Sequence, residues 1–333
     1  MKRLAKAAAI VAASTLLLAA CGGASGKPAE SSSGKAGGDK VYEIGAVTIV
    51  SHPALDSIYE GFKKGMADLG YEEGKNIKYE FQNPQGDQAT LTSIANTYAN
   101  ADKDLYLAIA TPPVQALAQA ITDKPIVFSG VTNPEAAGVV KSWEEPGGNV
   151  TGMSDLSPVK KQLELLKEIA PDTKSVGIVY ASAESNSEVL VDLAKKAGQE
   201  LGIEIKTATV VNSSEVGQAA SSLDVDAYYV PTDNTVVSAI EALVQVAEQK
   251  KKPVLAADSA SAKRGVVAAL SIDYYKQGVQ TAAMADKILK GEDPAKMAVQ
   301  TQDELELVIN PKAAERMGVK LPESVVSRAD KTV

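Results

Sequence analysis

The chain has 333 residues, of which 42 are acidic and 34 basic, and its net charge at neutral pH is −8. This acidic balance argues against a nucleic acid as partner, because binding to phosphates requires a basic surface. The chain also contains a single Cys, so an intramolecular disulfide is excluded and the apolar core has to supply the stability.

The first 20 residues have the features of a secretory signal peptide. Three basic residues precede an apolar run that begins at residue 7 and ends at Ala20, which is too short for a span of about 20 apolar residues. The run ends in Leu18-Ala19-Ala20-Cys21, which resembles a bacterial lipobox. We therefore expect cleavage before Cys21, a lipid on that residue, and an extracytoplasmic protein that the lipid alone holds at the membrane.

Residues 21–40 form the predicted lipidated Cys and a flexible linker, since residues 22–40 are rich in Gly, Ser, Ala and Lys and have no hydrophobic period. Roughly 290 residues follow, which is enough for two domains that each have a core. Removal of the signal peptide takes away three basic residues and brings the net charge from −8 to −11.

From residue 41 onward, short β-branched runs alternate with stretches of helical period, which predicts βαβ units, parallel sheets and an α/β fold. Two of the predicted helices are 159–170 and 274–289. The predicted strands are 43–50, 77–82, 105–110, 126–131, 175–180, 203–210, 227–230, 254–257, 266–272 and a late extended stretch at 305–309.

The alternation runs twice along the chain, which predicts two doubly wound parallel-sheet lobes that face each other across a cleft and are joined by a hinge. Lobe 1 is predicted at 41–153 and lobe 2 at 154–272. Residues 273–295 would return to lobe 1, and the C-terminal segment 296–333 would return to lobe 2.

Ligands of open parallel sheets bind beyond the carboxyl ends of the strands, so the loops that follow the strands are informative. These loops are polar, small and rich in turn-forming residues. The candidate ligand-binding residues lie in or beside them: His52, Pro53, Asn83, Gln85, Thr111, Pro112, Gly130, Thr132, Ser154, Tyr180, Thr232, Asp233, Asn234, Asp258 and Asp273.

Several polar residues precede predicted helices and have two interpretations. As N-caps they would only stabilise a helix. A helix start can also bind a carboxylate through its N–H groups and hydroxyls, and one residue can do both. The candidates are Thr111, Asn133, Ser157, Ser213 and Asn234.

His52 is the only histidine and follows the first predicted strand. The chain has no nucleophile motif for this histidine to activate, no clustered metal ligands and no glycine-rich phosphate loop. We therefore expect no catalytic residues, no metal and no cofactor. The favoured role of His52 is a hydrogen-bonding wall of the cleft, and a helix cap or a surface histidine remain alternatives.

Carboxylates follow three strands of the second half, where Asp233, Asp258 or Asp273 could meet a ligand ammonium. The alternative is that they are helix caps or solvated hinge residues. Sugar sites usually stack aromatic rings on the ligand, but the chain has only one Trp and three Phe, which does not favour a sugar ligand. Tyr180 could supply an aromatic face or pack in the core.

Seven stretches of the chain closely resemble the ABC transporter substrate-binding lipoproteins of the tryptophan/tyrosine-binding type, over residues 41–331. They are His52-Pro53-Ala54-Leu55-Asp56, Ile109-Ala110-Thr111-Pro112, Ser271-Ile272-Asp273-Tyr274-Tyr275, and residues 69–76, 126–134, 146–155 and 229–234.

This resemblance implies a type I periplasmic-binding-protein fold that closes by a hinge on an amino acid, and a monomer that serves an ABC permease and its ATPase. Thr111 and Thr132 match hydroxyls that hold the carboxylate in this fold, and Asp233 or Asp258 would hold the ammonium. Three alternatives stay open: a sensory module that signals to a membrane partner, a nucleoside or other non-amino-acid ligand, and an enzyme on a similar scaffold.

Overall fold

The computed structural model describes residues 40–333, so the predicted signal peptide, Cys21 and the linker up to residue 39 lie outside the described residues. The strands are β1 Tyr42–Thr48, β2 Ile77–Gln82, β3 Leu105–Ile109, β4 Ile126–Val131, β5 Val150–Ser154, β6 Ser175–Ala181, β7 Glu204–Val210, β8 Ala227–Val230, β9 Val254–Ala256, β10 Ala268–Ser271, β11 Glu306–Ile309 and β12 Lys331–Thr332. The helices are α1 Pro53–Asp68, α2 Gln88–Ala99, α3 Thr111–Ala120, α4 Val159–Ile169, α5 Ser185–Leu201, α6 Val216–Ser222, α7 Asn234–Ser238, α8 Ile240–Lys250, α9 Ala260–Lys263, α10 Tyr274–Leu289, α11 Pro311–Arg316 and α12 Glu323–Val326.

The strands form two sheets, one in each lobe. The first has the order β2-β1-β3-β4-β5 and is parallel throughout. The second has the order β12-β11-β10-β9-β8-β6-β7, and only the β10–β11 pair is antiparallel. Every residue of β3 and β4 is buried, as expected for parallel strands covered by helices on both faces. The predicted α/β fold with two parallel-sheet lobes is confirmed.

Each lobe has its own apolar core. The core of lobe 1 contains buried side chains up to Met153 and again from Ile272 to Met297. The core of lobe 2 contains buried side chains from Val159 to Ala269 and from Leu307 to Val325. The chain thus passes between the lobes three times. The exact lobe boundaries stay a prediction.

Helix α10 follows the second crossing and packs against α1, β4 and β5 of lobe 1. The two helices approach closely because glycines face the partner backbone. A Cβ on Gly278 would collide with the carbonyl oxygen of Ile58, and one on Gly61 would collide with that of Tyr275. This packing fixes the N-terminus of α10, and with it Tyr274, relative to the sheet of lobe 1.

Two strands were not predicted. β5 contains Gly152 and reads as a turn in the sequence, but this glycine lets the strand lie against β4, since a Cβ there would collide with the Phe128 backbone. β12 has two residues that pair with β11, and a strand of that length has no periodicity to detect. Within residues 40–333, no helix combines the length and apolar character required to cross a membrane.

Candidate ligand-binding site

A cavity lies between the lobes, at the carboxyl ends of strands from both sheets. Its space between atoms, including its mouth, is about 340 Å³. Lobe 1 contributes the turn before α1 and the loop after β4, and lobe 2 contributes loops after β6, β8 and β9. The lining residues are His52, Ala54, Leu55, Gly130, Thr132, Asp155, Asn186, Thr232, Asp233, Asn234, Val237, Asp258 and Tyr274.

His52 is the N-cap of α1, and its Nδ1 accepts a hydrogen bond from the Leu55 N–H at 3.5 Å. Burial, and secondly the charge of Arg264, lowers the pKa of His52 to about 3, so the imidazole is neutral at pH 7. Because Nδ1 accepts, the proton of the neutral ring is assigned to Nε2. This buried Nε2–H has no hydrogen-bond partner and is a donor at the cavity wall.

Asn186 and Thr232 add two more unpaired polar atoms to the same cavity. The Asn186 amide donates to Glu184 at 3.2 Å and to the Thr232 carbonyl at 3.1 Å, which leaves Asn186 Oδ1 unpaired. Thr232 Oγ1 is also buried without a partner. Buried polar atoms in proteins are nearly always hydrogen-bonded. Three of the six exceptions within residues 40–333 belong to residues that line this cavity.

Glu184 holds the start of helix α7 in place behind these residues. One carboxylate oxygen accepts from the Thr235 N–H and hydroxyl, at 3.0 and 2.8 Å. The other accepts from the Asn234 N–H at 3.1 Å and from its side-chain amide at 2.5 Å. An acidic group at a helix N-terminus is stabilised by those N–H donors, so Glu184 positions Asn234 without being a group open to a ligand.

Asp155 lies where the chain first leaves lobe 1, directly after β5. Its Oδ1 accepts from the Thr132 hydroxyl at 3.3 Å and its Oδ2 from the Tyr274 hydroxyl at 3.0 Å. The residue is 6% exposed, and this burial raises the pKa of its carboxyl to about 6. Asp155 thus connects the first crossing between the lobes with the start of α10.

Asp233 and Asp258 line the cavity too, but both carboxylates accept hydrogen bonds from residues in or beside the first turn of the helix that follows. Asp233 is the N-cap of α7 and accepts from the Val236 N–H at 2.7 Å, and its other oxygen accepts from Ala181 N–H and Ser187 Oγ. Asp258 accepts from the N–H and hydroxyl of Ser261. Burial raises the pKa of both carboxyls, and for Asp233 the nearby charge of Glu184 contributes as well.

The electrostatics of the cavity are acidic. Three carboxyl groups line it, and in the described part of the chain no Lys or Arg is among the lining residues. Arg264 lies nearby, but its guanidinium is paired with Glu241 at 2.6 Å. Carboxyl groups that are buried away from water favour a ligand that carries a positive charge.

The N-cap predictions are off by one residue in four places. The capping side chain of α7 is Asp233 and not Asn234, and that of the short 3₁₀ helix Ser213–Glu215 is Asn212 and not Ser213. Helix α3 begins at Thr111, so its N-cap is Ala110, which has no capping side chain and adopts a φ of 81°. The structure has Pro158 instead of Ser157 before α4, and Asn133 accepts from the Ala136 N–H in a turn.

Thr111 was the candidate for binding a carboxylate, but it does not line the cavity. Its hydroxyl lies behind Thr132 and accepts from the Thr132 N–H at 3.4 Å. The residue before Thr111, Ala110, has a strained backbone with a φ of 81°, and strain of that kind is retained where surrounding structure enforces it.

Seven of the fifteen predicted residues line the cavity: His52, Gly130, Thr132, Thr232, Asp233, Asn234 and Asp258. The others lie outside its lining, so a ligand contact for them stays a prediction. Asn83 and Gln85 form a turn of their own, and Asp273 caps α10. Tyr180 packs against the core of lobe 2, Ser154 donates to the Thr132 carbonyl, and Pro53 and Pro112 are in the first turns of α1 and α3.

The sequence analysis missed three polar lining residues, Asp155, Asn186 and Tyr274. Asp155 follows a strand, and the rule that ligands bind after strands would have found it had β5 been recognised. Asn186 lies in the first turn of α5, just beyond the loop that follows β6, and was not among the candidates. Tyr274 is the first residue of α10, and at this position the preceding Asp273 was selected as the candidate ligand-binding residue instead.

A cleft of this kind between two α/β lobes is the arrangement found in solute-binding proteins, and the comparisons with known proteins assign the chain to that class. The model of the family described as "ABC transporter substrate binding protein" matches residues 43–333. The chain therefore belongs to this family. Solved solute-binding proteins of much lower sequence identity share the type I periplasmic-binding-protein fold.

Several more specific relatives are known. The chain is 40% identical over 287 residues to a tyrosine-binding protein from Clostridioides difficile, covering 86% of this chain and 83% of that protein. It is 35% identical to a domain from Streptococcus pneumonia solved in complex with L-Trp, with a TM-score of 0.85 over 88% of this chain and 100% of that one. The ligand-free, open structure of a substrate-binding protein with adhesive properties from Clostridium difficile is 40% identical, with a TM-score of 0.67 over 88% of this chain and 99% of that one.

Sequence identity and TM-score rank the L-Trp complex and the ligand-free, open structure in opposite order. The open structure has the more similar sequence but the lower TM-score, and the L-Trp complex has the less similar sequence but the higher TM-score. The arrangement of the two lobes in residues 40–333 is therefore closer to that of the ligand-bound relative.

Proposed function

We propose that this chain captures a free aromatic amino acid in the cavity between its lobes and delivers it to the permease of an ABC importer. The observation that carries the proposal is the set of unpaired buried atoms in the cavity, His52 Nε2, Asn186 Oδ1 and Thr232 Oγ1. They belong to both lobes, so a ligand that satisfied them would hold the lobes together.

The chemistry of these atoms fits an amino-acid zwitterion. His52 Nε2–H and the Thr232 hydroxyl can donate to a carboxylate. Asn186 Oδ1 and a buried carboxyl can accept from an ammonium, whose positive charge the acidic cavity favours. Leu55 and Val237 supply apolar surface for the side chain. The tyrosine-binding and L-Trp-bound relatives support an aromatic side chain in particular.

Delivery requires that the ligand stabilises a closed form, because a ligand shifts a conformational equilibrium only by what it contacts better in one state. The similarity to the L-Trp complex supports closure by a hinge at the three crossings. The relatives are solute-binding proteins, which are not enzymes, and we propose that this chain likewise performs no catalysis.

The setting at the membrane belongs to the same proposal. Substrate-binding proteins of ABC transporters act outside the cytoplasm. We propose that the mature chain acts there as a monomer, with a permease and an ATPase as partners, and that a lipid on Cys21 anchors it. The lipobox-like run that ends at Cys21 supports the anchor.

A thermal unfolding screen tests the ligand class. The full chain is heated with each of the twenty amino acids and with nucleosides and sugars as comparison sets. A ligand at 100 times its dissociation constant stabilises the folded state by about 2.7 kcal/mol. We expect this effect with L-tryptophan or L-tyrosine. Stabilisation by a nucleoside or a sugar alone would refute the amino-acid proposal.

A further inference from the structure

The cavity contains three carboxyl groups, and the structure separates them by how their oxygens are already used. Asp233 accepts from two backbone N–H groups and one hydroxyl. Asp258 accepts from the N–H and hydroxyl of one residue, Ser261, in the first turn of α9. In both cases one donor is a backbone N–H, which has a fixed direction. These hydrogen bonds give each carboxylate a structural role that accounts for its presence in the cavity.

Asp155 differs because its carboxylate accepts from the hydroxyls of two other residues and, within residues 40–333, from no backbone N–H of another residue. The two hydroxyls are Thr132 Oγ1 at 3.3 Å and Tyr274 OH at 3.0 Å. A hydroxyl rotates, and its oxygen can accept as well as donate. The carboxylate caps no helix, forms no ion pair within residues 40–333 and is 6% exposed. An ionised carboxylate buried with so few donors is costly unless a cation joins it.

The position of Asp155 also suits a group that senses ligand. It begins the first crossing between the lobes, whereas Tyr274 follows the second crossing and Thr132 follows β4 of lobe 1. A cation bound by Asp155 would therefore contact the hinge itself, at the base of the cavity.

We propose that Asp155 binds the α-ammonium of the ligand and makes the site selective for α-amino acids over the same acids without an amino group. The inference rests on the proposed function and deepens it. It differs from the expectation drawn from the wider fold, which assigned the ammonium to Asp233 or Asp258.

The test compares two ligands on two proteins. L-Tryptophan and 3-indolepropionate have the same ring and carboxylate, but 3-indolepropionate has no ammonium. Asp155→Asn keeps the shape of the side chain and removes its charge. Isothermal titration of the full chain and the variant with both ligands gives the coupling between ammonium and carboxylate.

In the parent chain we expect L-tryptophan to bind more tightly than 3-indolepropionate. In Asp155→Asn this preference should fall by about 10- to 150-fold, which is the contribution of a hydrogen bond to a charged group. Affinity for 3-indolepropionate should change little or improve, because the variant no longer buries an unpaired carboxyl. A merely structural role for Asp155 would lower the affinity for both ligands equally.

Asp258→Asn is the matched comparison, since it removes a buried carboxylate from the same cavity. We expect it to lower the free energy of unfolding by weakening the hydrogen bonds with Ser261 and to retain the preference of the parent chain. If the preference disappears in Asp258→Asn and persists in Asp155→Asn, the assignment to Asp155 is wrong. Should Asp155→Asn fail to fold, Asp155→Ser removes the same charge with a smaller polar side chain and tests the same coupling.

The outcomes also separate this inference from the proposed function. If the parent chain binds neither L-tryptophan nor L-tyrosine, the proposed function and the assignment are both refuted. If it binds L-tryptophan and Asp155→Asn keeps the full preference over 3-indolepropionate, the function stands and only the ammonium assignment is refuted.

Discussion

His52 combines two roles that separate substitutions can distinguish. Its Nδ1 caps helix α1 through the Leu55 N–H, and its Nε2–H is an unpaired donor at the cavity wall. The amide oxygen of Asn lies close to the position of Nδ1, whereas the amide nitrogen of Gln lies close to that of Nε2. His52→Asn should therefore keep the cap and lose the ligand donor, and His52→Gln should do the reverse.

The magnitudes follow from the two kinds of hydrogen bond. Loss of a cap costs about 0.5–2 kcal/mol of stability, and the 3.5 Å length of this one places it at the low end. Loss of a donor to a ligand carboxylate costs about 1.5–3 kcal/mol, or about 10- to 150-fold in affinity. We expect His52→Asn to bind L-tryptophan more weakly by that factor and to unfold with nearly the free energy of the parent.

Urea unfolding and isothermal titration on the parent chain and both variants measure the two effects together. His52→Gln should retain more affinity than His52→Asn and less stability. If His52→Asn binds as tightly as the parent, His52 is only a helix cap and the carboxylate donor has to be found elsewhere. Because the pKa of His52 is about 3, its contribution to affinity should be constant from pH 5 to pH 8.

Three further predictions concern charge, packing and anchoring. The folded pKa of Asp155 is raised to about 6, so the stability it contributes is present at low pH and is lost as the pH rises through 6. Between pH 5 and pH 7.5 and without ligand, the free energy of urea unfolding of the parent should fall by about 1 kcal/mol relative to that of Asp155→Asn. Equal pH profiles of the two proteins would contradict the raised pKa. Gly278→Ala should lower the free energy of unfolding by about 1–3 kcal/mol or more, because the added Cβ collides with the backbone of Ile58. The control is Gly217→Ala in α6, whose added Cβ makes only ordinary contacts and which should be neutral or stabilising. Similar effects of the two substitutions would refute the close packing of α1 on α10. Cys21→Ser should release the protein from the membrane fraction with unchanged ligand affinity, and retention after high-salt washing would refute lipid anchoring.

The sequence alone predicts much of the fold because parallel strands buried on both faces read as short β-branched runs. β2, β4 and β8 have the predicted bounds, and helix α10 begins and ends at the predicted residues. The failure at β5 has a non-local cause, since Gly152 is a turn former by propensity and is required here by its close contact with Phe128. That contact depends on a residue 24 positions earlier in the chain, which no local pattern contains.

The site was harder to predict than the fold. The rule that ligands bind after strands found seven lining residues, including His52 and Asp258. It could not tell which carboxylates are already used by the protein itself, because Asp233 and Asn234 are both good cap formers and the distant donors to Asp233, Ala181 and Ser187, are known only from the fold. The hydrogen bonds of the Asn186 side chain join two separate segments, around residues 184 and 232, so its unpaired Oδ1 is visible only in the folded chain.

The most direct test of the account is isothermal titration of the full chain with L-tryptophan and L-tyrosine, alongside His52→Asn and Asp155→Asn. The account predicts one binding site per chain for at least one of the two amino acids, and an affinity that falls at least tenfold in each variant. Binding that is absent in the parent, or equally tight in the parent and both variants, would contradict a ligand site in the cavity between the lobes.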